Sequence, residues 1–295
     1  MDKLDDFKTR LRKTAGQSFA IAKYSVLQRL VNPRIICIVV LVSVYIWNSF
    51  SFVSDVVKLL DTRINPLVFP FFCDDFMARI VLGLSLAFLY SDAPFVNNNQ
   101  MYVLIRSKRI AWALGQIFHV IVFSGIYFMI LNLVAFIVVL PNATLSTSGW
   151  GKVINTLAQT DLTVQFNAIQ FSYKHISLYS PIQDFVLTFL LSWGMASFIG
   201  LMMFALNLNF GKLAGALSVT ILIFFDLLVY NSLGGIYRWI SPLTLSHLSA
   251  LDPQGITDLP SLTYAFCFYC VWIVLFSVII VVTVRGKAIE APSDL

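Results

Sequence analysis

Charge is scarce in this chain. Only 12% of its 295 residues are Asp, Glu, Lys or Arg, and its one glutamate is Glu290. A soluble domain carries about 25% charged residues. A chain with 58% hydrophobic residues and a mean hydropathy of +0.82 therefore takes the bilayer as its solvent. Cysteine is scarce too: Cys37, Cys73, Cys267 and Cys270. The last two form a CxxC with no His or carboxylate nearby in sequence, which fits small apolar packing residues better than redox or metal chemistry. The three histidines, His119, His175 and His247, are far apart, and the sequence contains no HExxH, no GxSxG and no GxxxxGK[ST]. The chain thus carries no recognisable metal or catalytic motif and no phosphate-cradling loop of its own. Its charged N-terminus is not followed by a short apolar core and a small-residue cleavage site, so no cleavable signal peptide is expected.

What is present is a series of apolar runs near the ~20 residues that a spanning helix needs. They cover Ile35–Val53, Phe76 to about Phe95 with a core at Ile80–Tyr90, Ile110–Leu140, Phe185–Leu206, Leu213–Tyr230 and Leu262–Val284. The expected fold is an all-α polytopic membrane protein with six transmembrane helices, and six spans put both termini on one side. Lys and Arg choose the side. Eight fall in the segment ending at Arg34, and Arg106, Lys108, Arg109, Lys212, Arg285 and Lys287 join them. The opposite side has six: Lys58, Arg63, Arg79, Lys152, Lys174 and Arg238. Both termini are expected in the cytoplasm.

Residues 1–34 read as a cytoplasmic amphipathic helix. Leu4, Phe7, Leu11, Ala15, Phe19, Ala22, Val26 and Leu30 recur every three or four positions, with Lys8, Arg12, Lys23 and Arg29 off the stripe. Such a helix lies along an inner leaflet or packs on a protein surface, and the basic flank favours the leaflet. Residues 35–284 form the transmembrane domain and 285–295 a cytoplasmic tail. The outer loops are 142–184, polar and mixed, and 231–261, where apolar pieces too short to span read as re-entrant outer helices before the last span.

Charges at membrane depth are costly and mark function or pairing. Asp226 is either a polar point on a substrate path or an acid near a helix end that reaches the outer interface or pairs with Lys or Arg. Asp75 and Arg79 are four apart and can pair on one helix face. His119, in the third span, is either a buried, hydrogen-bonded structural residue or part of a path or site. Ser192, Ala196 and Gly200, and Gly211 with Gly215, are small residues at spacing four, which lets helices approach closely within the chain or across a dimer seam.

Between spans two and three lies Ser91–Arg109. Asn97–Asn99 can cap a helix start, and Gln100–Ser107 would form a short helix with an apolar face at Met101, Leu104 and Ile105, stopped by Arg106, Lys108 and Arg109. Such a face suits burial against a partner.

The order of parts, together with Ser91-Asp92-x-Pro94-Phe95, Gln100-x-Tyr102-x-Leu104-x-Arg106, the Arg109–Gln116 run with Trp112 and Gly115, and Ser241-Pro242 to Leu251-Asp252, resembles the permease subunits of bacterial type-2 ABC transporters, mostly exporters. The resemblance covers nearly the whole chain in architecture. It implies that segment 91–109 carries a coupling helix, with Asp92, Pro94, Phe95, Gln100, Met101, Tyr102, Leu104, Ile105, Arg106 and Arg109 docking on a separate ATPase subunit. Two ATPase copies, which bind ATP and Mg, would drive alternating access in a pair of permeases, a second copy or a paralogue. This chain would then be no enzyme, hold no cofactor or metal, bind no nucleic acid, and export a hydrophobic or amphiphilic peptide, antibiotic or lipid across the cell membrane. Asp226 and His119 are the candidate substrate-path residues. The alternatives are an integral membrane enzyme acting on lipid or peptide, which would need polar groups at one depth such as His119 with Asp226, and an ion-coupled carrier.

Overall fold

A computed structural model describes residues 2–95, 109–145, 149–160 and 169–286, with 2–11 and 212 described by backbone alone. Helix α1 (Asp2–Leu30) leads into α2 (Pro33–Phe50) through a two-residue joint. Asn32 caps α2 by accepting from the Arg34 N–H at 3.0 Å, and Pro33 takes the first turn, where its missing N–H costs nothing. Then come α3 (Val53–Leu60), α4 (Phe69–Asp74), α5 (Phe76–Tyr90), α6 (Arg109–Val139), α7 (Gly151–Gln159), α8 (Tyr173–Leu178), α9 (Pro181–Phe210), α10 (Lys212–Leu228) and α11 (Leu262–Gly286). Among the described residues the only extended pairing is an isolated bridge between Ile64 and Ala143.

Among the described residues five helical stretches are long and apolar enough to cross a membrane: Pro33–Leu60, Arg109–Asn142, Pro181–Phe210, Leu213–Leu233 and Leu262–Gly286. The run expected as the second span is a shorter apolar helix of 15 residues, Phe76–Tyr90. It rises about 22 Å, less than the ~30 Å hydrocarbon core. Its start is set by Asp75, which adopts an extended backbone and accepts from the Ala78 N–H at 2.9 Å. That cap separates α4 from α5, so Phe69–Tyr90 is a broken helix. The loop expected to hold re-entrant helices follows a π-turn at Val229–Leu233 and carries three short 3-10 helices, Gly235–Trp239, Thr244–Ser246 and Leu248–Ala250. Leu243, Leu245, Leu248 and Leu251 are buried, so this loop caps one end of the bundle.

Helix α9 is the central mast: 72% of its apolar window is buried, against 22% to 44% for the other four stretches. The small-residue face explains why its neighbours come close. A Cβ on Gly200 would lie 2.6 Å from Val120 Cγ1 of α6 and 3.0 Å from the Tyr90 ring of α5. The spacing-four residues on α9 therefore serve packing within the chain, and van der Waals fit is what holds helices together where lipid is as apolar as they are. Gly215 similarly meets Asn207, whose Oδ1 accepts from the Gly215 N–H at 2.7 Å and closes the α9–α10 hairpin. Away from the mast, apolar side chains such as Leu41, Trp47, Ile137, Leu213, Ile221 and Val274 are exposed, as lipid-facing residues are.

The second half of α1 packs on α6. The Ser18 hydroxyl donates to the Ala111 carbonyl at 3.0 Å, Gln116 donates to Ser25 at 3.3 Å, and Gly115 leaves room for Ile21. Ala22 and Val26 of the stripe are buried, but Phe19 and Leu30 are exposed. The reason is geometric: at about 100° per residue, Phe19 and Leu30 lie toward one edge of the stripe and Ala22 and Val26 toward the other, and only the second edge meets α6.

Replacing Gly200 by Val is expected to lower stability by about 1–3 kcal/mol, the usual cost of overpacking, read as a drop in the melting midpoint in detergent. Gly149→Ala, at a site with nothing within 4 Å, should leave the midpoint in place.

Candidate functional site

Two polar centres sit at opposite ends of the bundle. The helix directions place them: α5 begins at one and ends at the other, and α9 carries Asp184 at the first and Asn207 at the second.

At the far end, away from α1, Arg79 of α5 meets Asp226 of α10, Nη1 to Oδ2 at 3.5 Å, with both side chains buried. The second carboxylate oxygen of Asp226 accepts from the hydroxyls of Ser241 at 2.9 Å and Thr244 at 2.6 Å. The guanidinium carbon lies 4.7 Å from the Tyr230 ring, which stacks on Phe76 at 4.6 Å. Asp226 thus pairs with an arginine, as one of its two readings expected. The expected Asp75–Arg79 pair does not form, because capping α5 engages Asp75 while Arg79 points across to α10.

Beside this pair lies a cluster that no sequence motif announces. His175 of α8 is buried between two carboxylates, with Nε2 2.6 Å from Asp74 Oδ2 and Nδ1 2.8 Å from Asp184 Oδ2. Two carboxylate acceptors require both ring nitrogens to donate, which is the imidazolium form. Burial disfavours that charge, but Asp74 and Asp184 outweigh burial and push His175 up to about 10. Asp74 moves the other way: burial opposes its charge, and His175 overcomes burial to bring it down to about 2. A histidine held charged in this way cannot accept a proton near neutral pH, so the cluster acts as a latch tying α4, α8 and α9 together. Nearby, His247 Nδ1 stands 3.8 Å from Asp74 Oδ1. Burial, with Arg79 next in effect, lowers His247 well below its ordinary value. Lys174 clamps the capping loop by donating to the carbonyls of Ser249 at 2.7 Å and Leu251 at 2.8 Å. A cavity of about 550 Å³ opens here, with Asp74, Arg79, Arg238, Tyr230, Thr244 and His247 in its wall.

At the α1 end, α5 finishes in the turn Ser91–Phe95. Arg34 of α2 holds it, pairing with Asp92 at 2.5 Å, donating to the Phe88 carbonyl at 3.0 Å and also reaching Ser91 Oγ. Asn207 of α9 donates to the Ala93 carbonyl at 2.9 Å. Phe95 takes a left-handed backbone, φ 61°, which is strained for a bulky residue. Its ring packs 4.0 Å from the Arg29 guanidinium and edge-on to His119, with centroids 5.3 Å apart. A cavity of about 290 Å³ lies beside Arg29, Asp92, Phe95 and His119.

The expected coupling residues are therefore divided. Asp92, Pro94 and Phe95 lie in the anchored turn, and Arg109 begins α6 and is exposed. Gln100, Met101, Tyr102, Leu104, Ile105 and Arg106 lie outside the described residues. His119 is buried as expected, but among the described residues neither ring nitrogen has a hydrogen-bond partner. The suggested pairing of His119 with Asp226 does not occur, since one belongs to the α1 end and the other to the far end. All four cysteines are free, with Cys267 and Cys270 exposed on α11, and no metal-binding group occurs among the described residues.

Among the described residues the protein is all-helical, with five helices long and apolar enough to cross a membrane. No family model, curated protein or solved structure matches the chain.

His175→Gln is expected to destabilise the protein by about 3 kcal/mol, because two buried carboxylates lose their countercharge. With its value raised, the contribution of His175 is complete below its ordinary 6.5 and is lost as pH rises through about 10. The wild-type melting midpoint should thus fall between pH 6.5 and 10 more steeply than that of the variant.

Proposed function

We propose that this chain is the membrane subunit of an ATP-driven transporter, a permease of the type-2 ABC class, working with separate ATPase subunits and a second permease. On this reading Phe76–Tyr90 completes a set of six crossings, the termini face the cytoplasm of a bacterial cell, and the α1 end is the side that receives the ATPase.

One observation carries the proposal. The turn Ser91–Phe95, where the coupling segment leaves the described fold, is fastened to α2 by Arg34, to α9 by Asn207 and to α1 through the Phe95–Arg29 contact. The segment rejoins the fold at Arg109, the first residue of α6, on which α1 is packed. A load applied to 96–108 would thus reach α1, α2, α5, α6 and α9 together. A turn that only linked two spans would need neither the three fastenings nor the strained Phe95. The far-end cavity, bounded by Arg79, Tyr230 and the capping loop, would then be the outer part of the substrate path, with an aromatic stack beside fixed charges suited to an amphiphilic substrate. Arg79 and Asp226 would form its gate, joining α5 to α10 by a bond that can open and close.

The enzyme alternative loses support on two counts. His119 and Asp226 lie at opposite ends, and the one histidine–carboxylate cluster holds its histidine protonated.

Co-purification tests the proposal. Leu104→Glu or Arg106→Glu should abolish recovery of an ATPase with the full-length protein while expression is unchanged. Arg34→Glu, which unfastens the turn without altering 96–108, should keep the ATPase bound yet reduce substrate-stimulated ATP turnover by roughly five- to tenfold, the range of a typical coupling energy. If no ATPase accompanies the wild-type chain, the proposal fails.

A further inference from the structure

The cavity at the α1 end holds a buried arginine with no ion pair of its own among the described residues. Arg29, in the last turn of α1, is 8% exposed. Its guanidinium sits in a box of three rings, 4.0 Å from Phe95, 5.5 Å from Phe123 and 5.7 Å from Tyr90. Rings satisfy the faces of a guanidinium, but its N–H groups point out in the plane and want acceptors. Nη1 is buried with no hydrogen-bond partner among the described residues, and no described carboxylate lies within ion-pair distance of Arg29. Asp92 lines the same cavity, but its Oδ1 is taken by Arg34 at 2.5 Å. Two cations therefore face one acid.

The rest of the wall is rich in donors. His119 is fully buried, and both of its ring nitrogens lack a partner among the described residues. Either neutral tautomer offers one N–H. The amides of Gln28 and Asn32 complete the rim. A buried charge without a partner is among the costliest arrangements in a protein, and the Arg29–His119 pair lies beside a cavity of about 290 Å³ that an anion with several acceptor oxygens could occupy.

We infer that this cavity binds a phosphate group, held by Arg29 Nη1 and the His119 N–H, with Gln28 and Asn32 as supplementary donors. Arginine's planar fork matches phosphate oxygens, and the volume leaves room for an ester substituent beyond the phosphate itself. The group has two possible sources, a free phosphate compound or the headgroup of a phospholipid. The exposed apolar side chains of Phe19, Leu27, Leu30 and Val31 on the adjoining part of α1 offer acyl chains a surface next to the site. The inference does not depend on the transporter reading.

The test uses the full-length protein in detergent and reads the thermal unfolding midpoint as each probe is titrated. The probes are inorganic phosphate, short-chain phosphatidylglycerol and a diacylglycerol of the same chain length. One of the two phosphate probes should stabilise the protein saturably and diacylglycerol should not. Saturation by inorganic phosphate identifies a free phosphate compound, and a response to phosphatidylglycerol alone identifies a lipid headgroup. Arg29→Gln should weaken the apparent affinity by more than about tenfold, the loss of one charge-assisted contact. Gln28→Ala, at the half-buried rim, should weaken it by about threefold and decides the matter if Arg29→Gln does not fold. The inference is overturned if neither phosphate probe stabilises the wild type, if diacylglycerol matches phosphatidylglycerol, or if the variant that folds responds like the wild type. It is equally overturned if phosphate binds only after Glu290→Gln and Asp294→Asn are introduced together, because the anion would then be the chain's own tail.

Discussion

A charge taken out of water must find a partner, and in this protein the search for partners joins elements that lie far apart in the chain. Arg79 on α5 and Asp226 on α10 are each costly at membrane depth. Together, with Ser241 and Thr244 completing the coordination of the carboxylate, they tie two helices to the capping loop. His175 does the same for α4 and α9: one imidazolium answers two carboxylates, and the short α8 that carries it is drawn against the bundle. These bonds matter more for specificity than for net stability. Buried ion pairs often add little over an apolar replacement, but a partner left alone is heavily penalised, so alternative packings that separate them are excluded.

Between the two polar ends the bundle is held by close apolar fit and a few interhelical hydrogen bonds, among them Tyr127 to Ser85 at 2.7 Å and Trp193 to the Ile121 carbonyl at 2.7 Å. The central helix α9 uses Gly200 to admit Tyr90 and Val120, and Tyr90 sends its hydroxyl to Ser124 of α6 at 2.6 Å. Such interfaces have discrete packings rather than a continuous range. A bundle clamped by polar contacts at each end and by close apolar packing between them is suited to moving as a few rigid pieces. On the proposed reading, the fastened turn at Ser91–Phe95 is where one such piece would be pushed, and the Arg79–Asp226 bond is where the response would appear.

The spanning helices were legible because a membrane imposes one rule on sequence, an uninterrupted apolar run of sufficient length. Five runs obeyed it. The weak one, Phe76–Phe95, proved weak for a reason present in its letters: Asp75 caps a helix start and confines it to 15 residues. The role of α1 was half legible. Its amphipathic repeat was visible, but a stripe does not say which residues meet α6, and Ser18, Ser25 and Arg29, polar in composition, turned out to face inward. The far-end cluster was not legible as a site, because Asp74 and His175 are 101 residues apart. The available signal was indirect: Asp74 and Asp184 are acids at the edges of apolar runs, and such acids need cations. The sequence could not say that His175 would serve both.

Composition by itself determined the solvent, the helical class and the approximate placement of the spans, because those follow from the cost of exposing backbone and charge to lipid, which each segment meets locally. It also made Arg79, Asp226 and His119 conspicuous. Only the tertiary structure decided their partners. Arg79 chose Asp226 over its near neighbour Asp75, and His119 came to lie beside Arg29 rather than Asp226. Pairing energy depends on distance and burial in three dimensions, and no spacing along the chain encodes either once the partners sit on different helices.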